Sequence, residues 1–200
     1  MYQYCRSASL AKRQSGVTLV EVLISVLLMS FALLGMAALQ AQSMAQQTSS
    51  TTRGNLSTLI SDVADRLRSN LSSAPGYSAG NTAFTLSSTW AAQATIPSAP
   101  TTDCKITACD VAARSKYDLV TWQRKVRSEL PQGSALISGD VQSGVNVTIL
   151  WFDKEFRSGD VLNQSPTCTN AMTAGQAQTC CPAAASAPTG VRCHRTTLIP

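Results

Sequence analysis

The chain has 200 residues, room for one compact domain plus an anchor, since domains usually run to about 100–150 residues. Charged residues make up 14%, and the polar remainder is rich in Ser, Thr, Ala and Gln, a weakly charged surface that argues against a nucleic-acid binder. The formal charge of +5 is concentrated at the start: without Arg6, Lys12 and Arg13 the rest of the chain holds 13 basic against 11 acidic side chains, net +2.

The first element is the stretch AKRQSGVTLVEVLISVLLMSFALLGMAALQAQ, residues 11–42. In a secretory signal peptide the apolar core precedes the cleavage site and is lost with it. Here the order is reversed: basic residues lead to Ser15-Gly16, and the apolar run follows. Val22 to Leu39 is 18 residues interrupted only by Ser25, Ser30 and Gly35. As helix it would span about 27 Å, close to the roughly 30 Å of a bilayer core. Lys and Arg flank the run only on its N-terminal side until Arg53, so the positive-inside rule puts the N-terminus in the cytoplasm and the C-terminal part outside. Glu21 stands out, because a carboxylate at that depth costs a few kcal/mol on insertion scales.

SGVTLVEVL resembles the class III leader of type IV prepilins and of the related secretion pseudopilins: Gly, a hydrophobic residue, Thr-Leu, an apolar residue and Glu. The resemblance implies that a prepilin peptidase cuts after Gly16 and methylates the new amino group on Val17. The family most often has Phe at that first mature position. It also implies a use for Glu21: the α-amino group of one subunit, mostly cationic at neutral pH with a reference pKa near 8, meets the Glu of its neighbour inside a filament of bundled helices. A buried charge is tolerable when so paired and costly when its partner is removed. Thr18 supplies a hydroxyl to the same polar site. The expected division is a cleaved leader at 1–16, a transmembrane and filament-core helix half at 17–42, an amphipathic half at 43–75 and a globular periplasmic or extracellular head at 76–200.

Downstream, Leu56, Ile60, Val63 and Leu67 recur at helical spacing, with Asp62, Asp65, Arg66 and Arg68 on other faces. One helix from about Thr18 to Asn70 follows, stopped by Ser72-Ser73-Ala74-Pro75-Gly76. Residues 76–103 read as a long connecting loop with a short strand at Phe84 to Leu86. Asp110 to Leu130 reads as a second helix with Leu119, Trp122, Val126 and Leu130 on one face, ended by Pro131-Gln132-Gly133. The period then changes to two. GVNVTILWF, Gly144 to Phe152, alternates Val145, Val147, Ile149 and Trp151 against Asn146, Thr148, Leu150 and Phe152, a strand with one strongly apolar face. Ala135 to Val141 pairs with it through Gln142-Ser143-Gly144, and a last strand lies within Val191 to Ile199. The expected fold is α+β, type IV pilin-like: a long N-terminal helix, apolar then amphipathic, packed on a small antiparallel sheet with disulfide-pinned loops.

Seven cysteines are present; Cys5 lies in the leader, leaving Cys104, Cys109, Cys168, Cys180, Cys181 and Cys193. Six in an exported domain suit an oxidising compartment and allow up to three disulfides. Cys104 and Cys109 are close enough for a local loop, ending where Asp110 can cap the next helix. If they pair, the other four have three connectivities, and Asn163 to Gly190 becomes a disulfide-pinned loop. Zinc is a poorer use: Cys180-Cys181 and Cys193-His194 lack the spacing that lets two ligands converge on one ion.

Those zinc-ligand types are one of two footholds for an enzyme; the other is a serine string with the sole histidine, His194, downstream. GYSAG, Gly76 to Gly80, matches the nucleophile-elbow string, but that turn needs a strand before the serine and a helix after it, and Ser78 has neither. No phosphate-loop or dinucleotide fingerprint occurs. The chain therefore reads as a non-enzyme without cofactor. The cluster Arg124, Lys125 and Arg127 is too small for a DNA-uptake surface and reads as solvation.

Two further segments resemble PilV-type pilus modification proteins, which are minor pilins: DVADRLRSN (Asp62 to Asn70) and CKITACDVAARSKYDLVTWQRKVRSELPQG (Cys104 to Gly133). That resemblance implies a minor pilin of the inner membrane that joins other minor pilins and the major pilin at a filament tip. Its implied partners are the prepilin peptidase, the inner-membrane assembly platform and a large tip adhesin. Its implied roles are pilus assembly, twitching motility and adhesion. A minor pseudopilin of type II secretion shares the leader but not the Cys104 to Gly133 segment.

Overall fold

The computed structural model of the chain describes residues 16–77 and 83–200. It divides into two compact units, Met1–Gln47 and Thr48–Pro200. The first helix, α1, runs Leu19–Ser69. Thr18 starts it: the Glu21 backbone N–H donates to Thr18 Oγ1 at 3.3 Å and to the Thr18 carbonyl at 3.1 Å. Thr18-Leu19-Val20-Glu21 thus has the T-x-x-E pattern of a capping box, and the acidic Glu21 sits in the first turn, where the helix dipole favours it.

In the first unit the apolar residues from Val17 to Leu39 are exposed, most of them by more than half. The two serine hydroxyls within that run satisfy themselves: Ser25 donates to the Glu21 carbonyl at 2.7 Å and Ser30 to the Val26 carbonyl at 2.8 Å. No free hydroxyl from those two is then presented to an apolar surround, where an unmet polar group is costly.

From Thr48 onward α1 belongs to the second unit. It begins poorly: Thr48, Ser49, Ser50, Thr51, Thr52 and Gly54 together cost about 4 kcal/mol of helix propensity relative to alanine. Hydroxyls there bond back onto the helix, Thr52 to the Thr48 carbonyl at 2.9 Å, and Ser57 and Thr58 to the Gly54 carbonyl at 2.8 and 3.2 Å. Burial then takes over. Leu56, Leu59, Val63, Ala64 and Leu67 lie inside, with Leu59 fully buried where the expected stripe had Ile60, which is only half-buried. The stripe drifts because both i+3 and i+4 neighbours of Leu56 lie near one helix face. A 3₁₀ turn, Leu71–Ser73, follows.

α2 runs Val111–Glu129, capped by the Asp110 side chain accepting from the Ala113 N–H at 2.7 Å. The sheet is antiparallel. β1 (Ser134–Asp140) and β2 (Gly144–Phe152) form a hairpin, followed by a short ribbon of β3 (Arg157–Ser158) and β4 (Val161–Leu162), and β5 (Val191–Leu198) returns to pair with β2. The order is β1-β2-β5, with Ile149 opposite Ala135 on one side and His194 on the other. At the hairpin turn, Asp140 Oδ1 accepts from the Gln142 and Ser143 N–H groups at 2.9 and 2.6 Å. The Val141 N–H bonds the Pro75 carbonyl at 2.9 Å, joining the end of the helical segment to the turn.

One face of the sheet packs on α1 and α2 through Val145, Val147, Ile149 and Trp151 against Leu59, Val63, Trp122 and Val126. The opposite face is buried as well, which corrects the expectation of a single apolar face: Thr148 is 2% and Leu150 0% exposed. Leu136, Leu150 and Val191 form a second core with Cys181, Ala185 and Cys193. The covering segment includes α3 (Ala174–Thr179) and a 3₁₀ turn at Ala183–Ala185. The expected strand at Phe84 to Leu86 is a single antiparallel bridge, Leu86 to Ile137, because only Leu86 reaches β1, while Phe84 turns wholly into the core.

Candidate functional site

Gly16, Val17 and Thr18 precede the first helical residue, and all three are exposed. A Cβ built on Gly16 would meet nothing within 4 Å, and its φ is not in the left-handed region. The fold of the described residues therefore does not require glycine there; any requirement lies in what else handles the chain. Val17 is 69% exposed. Thr18 and Glu21 are brought together by the cap, but through the Glu21 N–H, so the hydroxyl acts on the backbone of α1. The rest of the leader expected at 1–16, Cys5 and the basic residues included, lies outside the described residues.

The segments Asp62 to Asn70 and Cys104 to Gly133 meet in the second unit. Asp62 Oδ1 takes the Arg66 Nε–H at 2.7 Å, and Arg66 Nη1 reaches Asp118 Oδ1 at 2.8 Å. Asn70 Nδ2 donates to Asp118 Oδ2 at 2.9 Å, and Lys125 Nζ lies 3.1 Å from Asp62 Oδ2. Beneath this chain of charges the wholly buried Trp122 donates its indole N–H to the Leu59 carbonyl at 2.9 Å. Burial alone would raise the Asp62 carboxyl, but the bonds from Arg66 and Lys125 outweigh it and hold it below the usual carboxylate range. The helical spacing in Asp62, Arg66 and Asn70 puts one residue per turn on a single face, which is why all three reach α2.

The basic cluster on α2 is not the solvated face the sequence suggests. Arg124 donates to the Pro97 carbonyl, Arg127 to the Ala94 carbonyl, and Lys125 is held by Asp62. Two of the three cations thus pin the 84–103 loop, whose backbone carbonyls are acceptors no sequence pattern marks. Gln93 assists, its amide bonding both the N–H and the carbonyl of Ala135 at 3.1 and 2.9 Å.

Among the described residues three disulfides are formed: Cys104–Cys109, Cys168–Cys180 and Cys181–Cys193, with Cα separations of 5.5, 5.0 and 5.3 Å. The adjacent Cys180 and Cys181 are sent to different partners. These bonds occupy the thiols that a zinc ion would have used, and among the described residues no group of three or more His, Cys, Asp or Glu could hold a metal ion. His194 lies on β5 opposite Ile149, its pKa pushed down by burial. Ser78 of the elbow string lies outside the described residues; Gly76, which opens that string, follows the end of the helical segment at φ 74°.

Residues 11–37 match a family described as the prokaryotic N-terminal methylation motif. No curated protein and no solved structure matches the chain. The motif is typical of the type IV prepilin superfamily, and α1 carries a single run apolar and long enough to cross a membrane. Residues 11–37 thus carry a prepilin-type N-terminus, and the helix packed on a small antiparallel sheet with disulfide-linked loops is a type IV pilin-like architecture.

Proposed function

We propose that the chain is a minor type IV pilin of the PilV kind. The observation that carries the proposal is the interlock of Asp62, Arg66 and Asn70 with Asp118, Trp122 and Lys125, since the residues that resemble PilV-type sequences in two separate segments serve one contact. A prepilin peptidase cuts after Gly16 and methylates Val17, the chain stays in the inner membrane by its apolar helix with the head outside, and it then enters the filament. There the Val17 amine answers the Glu21 carboxylate of a neighbouring subunit. Other minor pilins, the major pilin, the assembly platform and a tip adhesin are its partners, and pilus assembly, twitching motility and adhesion its roles. The tethering of Arg124, Lys125 and Arg127 weighs against a DNA-uptake function.

The test is Glu21→Leu, compared with the native chain in membranes and in sheared filaments. Normal membrane insertion with loss from filaments supports the proposal. Undiminished incorporation of Glu21→Leu would remove the pairing from the mechanism, and absence of the native chain from filaments would leave a secretion pseudopilin as the better description.

A further inference from the structure

We propose that the end of the second unit where α1 terminates is a docking surface for a different protein, one whose contact face is apolar and carries a carboxylate placed for Arg114. α1 enters this unit at Thr48 and ends at Ser69, so the unit has two ends about 30 Å apart along the helix. Among its described residues seven large apolar side chains are exposed, and five of them, Leu71, Tyr77, Ile106, Val111 and Ile199, lie at the Ser69 end. Leu71 follows α1 directly. Val111 lines a depression with Ser69, Asn70 and Cys109, and Ile106 stands on the loop that Cys109 closes. Tyr77 follows Gly76, which lies against Asp140 at the hairpin turn, and Ile199 follows Leu198, paired with Val145 beside the same turn. The other two sit elsewhere: Ile96 between the carbonyls that Arg127 and Arg124 hold, and Val161 on the ribbon beyond Phe152. Single exposed apolar residues are ordinary, but a gathering of five at one end marks a contact surface.

Charge selects the occupant. The carboxylates at this end serve the chain's own turns: Asp103 accepts from the Lys105 N–H at 3.0 Å, Asp110 from the Ala113 N–H at 2.7 Å and Asp140 from the Ser143 N–H at 2.6 Å. Arg114 is not so engaged. It is exposed, it stands between the Val111 depression and an open groove of about 750 Å³ between α1 and α2, and among the described residues its guanidinium forms no hydrogen bond or salt bridge. Lys105 lines the same groove, also without a salt bridge. A second copy docked by a two-fold axis would set these cations against their own counterparts, a costly like-charge contact. An anionic lipid surface is flat and uniformly negative, whereas the groove is concave and carries Asp62, Asp65 and Asp118 on its walls. A folded partner with an apolar centre and one placed carboxylate meets both the shape and the charge. The inference draws on the second unit alone and needs no role in a pilus.

Photocrosslinking in the cells that naturally make the full chain provides the test, with p-benzoylphenylalanine in place of Ile106 and, as a comparison, in place of Val161. From Ile106 the expected product joins the chain to one other protein, at a peptide that mass spectrometry finds within a few residues of an Asp or Glu. Arg114→Glu should lower the yield at least fivefold, and changing that acid to Lys in the partner should restore at least half of it. Because the Arg114 side chain has no partner within the chain, its variant should keep the native thermal midpoint. Lys154→Glu, an exposed charge just past the far end of β2, should leave the yield unchanged. A product with a second copy or with a lipid, a crosslinked peptide with no acidic neighbour, equal yield from Val161, a yield unmoved by Arg114→Glu, or no product at all would overturn the docking surface. Each of these failures leaves the filament test with Glu21→Leu untouched.

Discussion

Arg66 and Asp118, 52 residues apart in sequence, are joined at 2.8 Å, and Arg66 is at the same time bonded to Asp62 one helical turn before it. Both side chains of the long-range pair are mostly shielded, 22% and 14% exposed, so the pair is worth more than a surface ion pair. Removing one member leaves the other charge short of a partner. Asp118→Ala is expected to destabilise the folded chain by about 2 kcal/mol, and a cycle with Arg66→Ala to show coupling of about 1 kcal/mol, read from denaturant unfolding with the disulfides intact. Additive single effects would show that the two act independently.

The same cluster sets an acid limit. Asp62 has its folded pKa depressed below the unfolded 3.8, so its contribution is present above that value and lost as pH falls through the folded pKa. His194 behaves with the same sign for a different reason: burial disfavours its cation, so stability is whole above the unfolded 6.5 and declines as pH drops below it toward the depressed folded value. Thermal midpoints measured from pH 8 to pH 3 should fall in two stages. His194→Gln should abolish the upper stage, and Asp62→Asn should reduce the lower, to which Asp140 and Asp103, also held below the usual carboxylate range by hydrogen bonds, contribute. A variant that leaves its stage unchanged would dissociate that residue from it.

Much of this fold could be read from the residues because its signals are local. The α2 stripe, its Asp110 cap, the two-residue period of Gly144–Phe152 and the hairpin turn each depend on neighbours within a few positions. The burial of Leu150 did not follow, since it depends on Cys181, Ala185 and Cys193 folding across from a distant segment of no clear period. The partners of Arg124 and Arg127 were equally hidden, being backbone carbonyls of an irregular loop. At the other end, the prepilin resemblance implies one polar site for Thr18 and Glu21, and the cap that joins them is a T-x-x-E pattern, legible by counting three residues from the hydroxyl.

The second core makes the disulfides unequal. Cys181–Cys193 ties the covering segment to β5 and is itself buried, whereas Cys104–Cys109 closes a short loop on which Ile106 is 85% exposed. Cys181→Ala with Cys193→Ala should cost about 3 kcal/mol or more and expose the Leu136 and Leu150 face to a hydrophobic dye. Cys104→Ala with Cys109→Ala should cost about 2 kcal/mol or less and bind no dye. Equal dye binding by the two variants would argue against a separate second core.

Gly76 is a steric requirement of the junction between the helical segment and the hairpin. Its φ is 74°, and an added Cβ would come 2.5 Å from the Asp140 Cβ. Gly76→Ala should therefore destabilise by about 1–3 kcal/mol in thermal unfolding, and Gly54→Ala, with open space around it, should stabilise slightly. A Gly76→Ala chain as stable as the native one would mean the turn can shift freely.

The proposal that this chain is processed into a pilus subunit is tested most directly at its N-terminus in the filament. Filaments sheared from cells producing the chain, digested and analysed by mass spectrometry, should yield an N-terminal peptide that begins at Val17 with a methylated amine, at low abundance beside the main subunit. A chain found only in membranes with residues 1–16 still attached, or a filament copy that starts elsewhere, would contradict it.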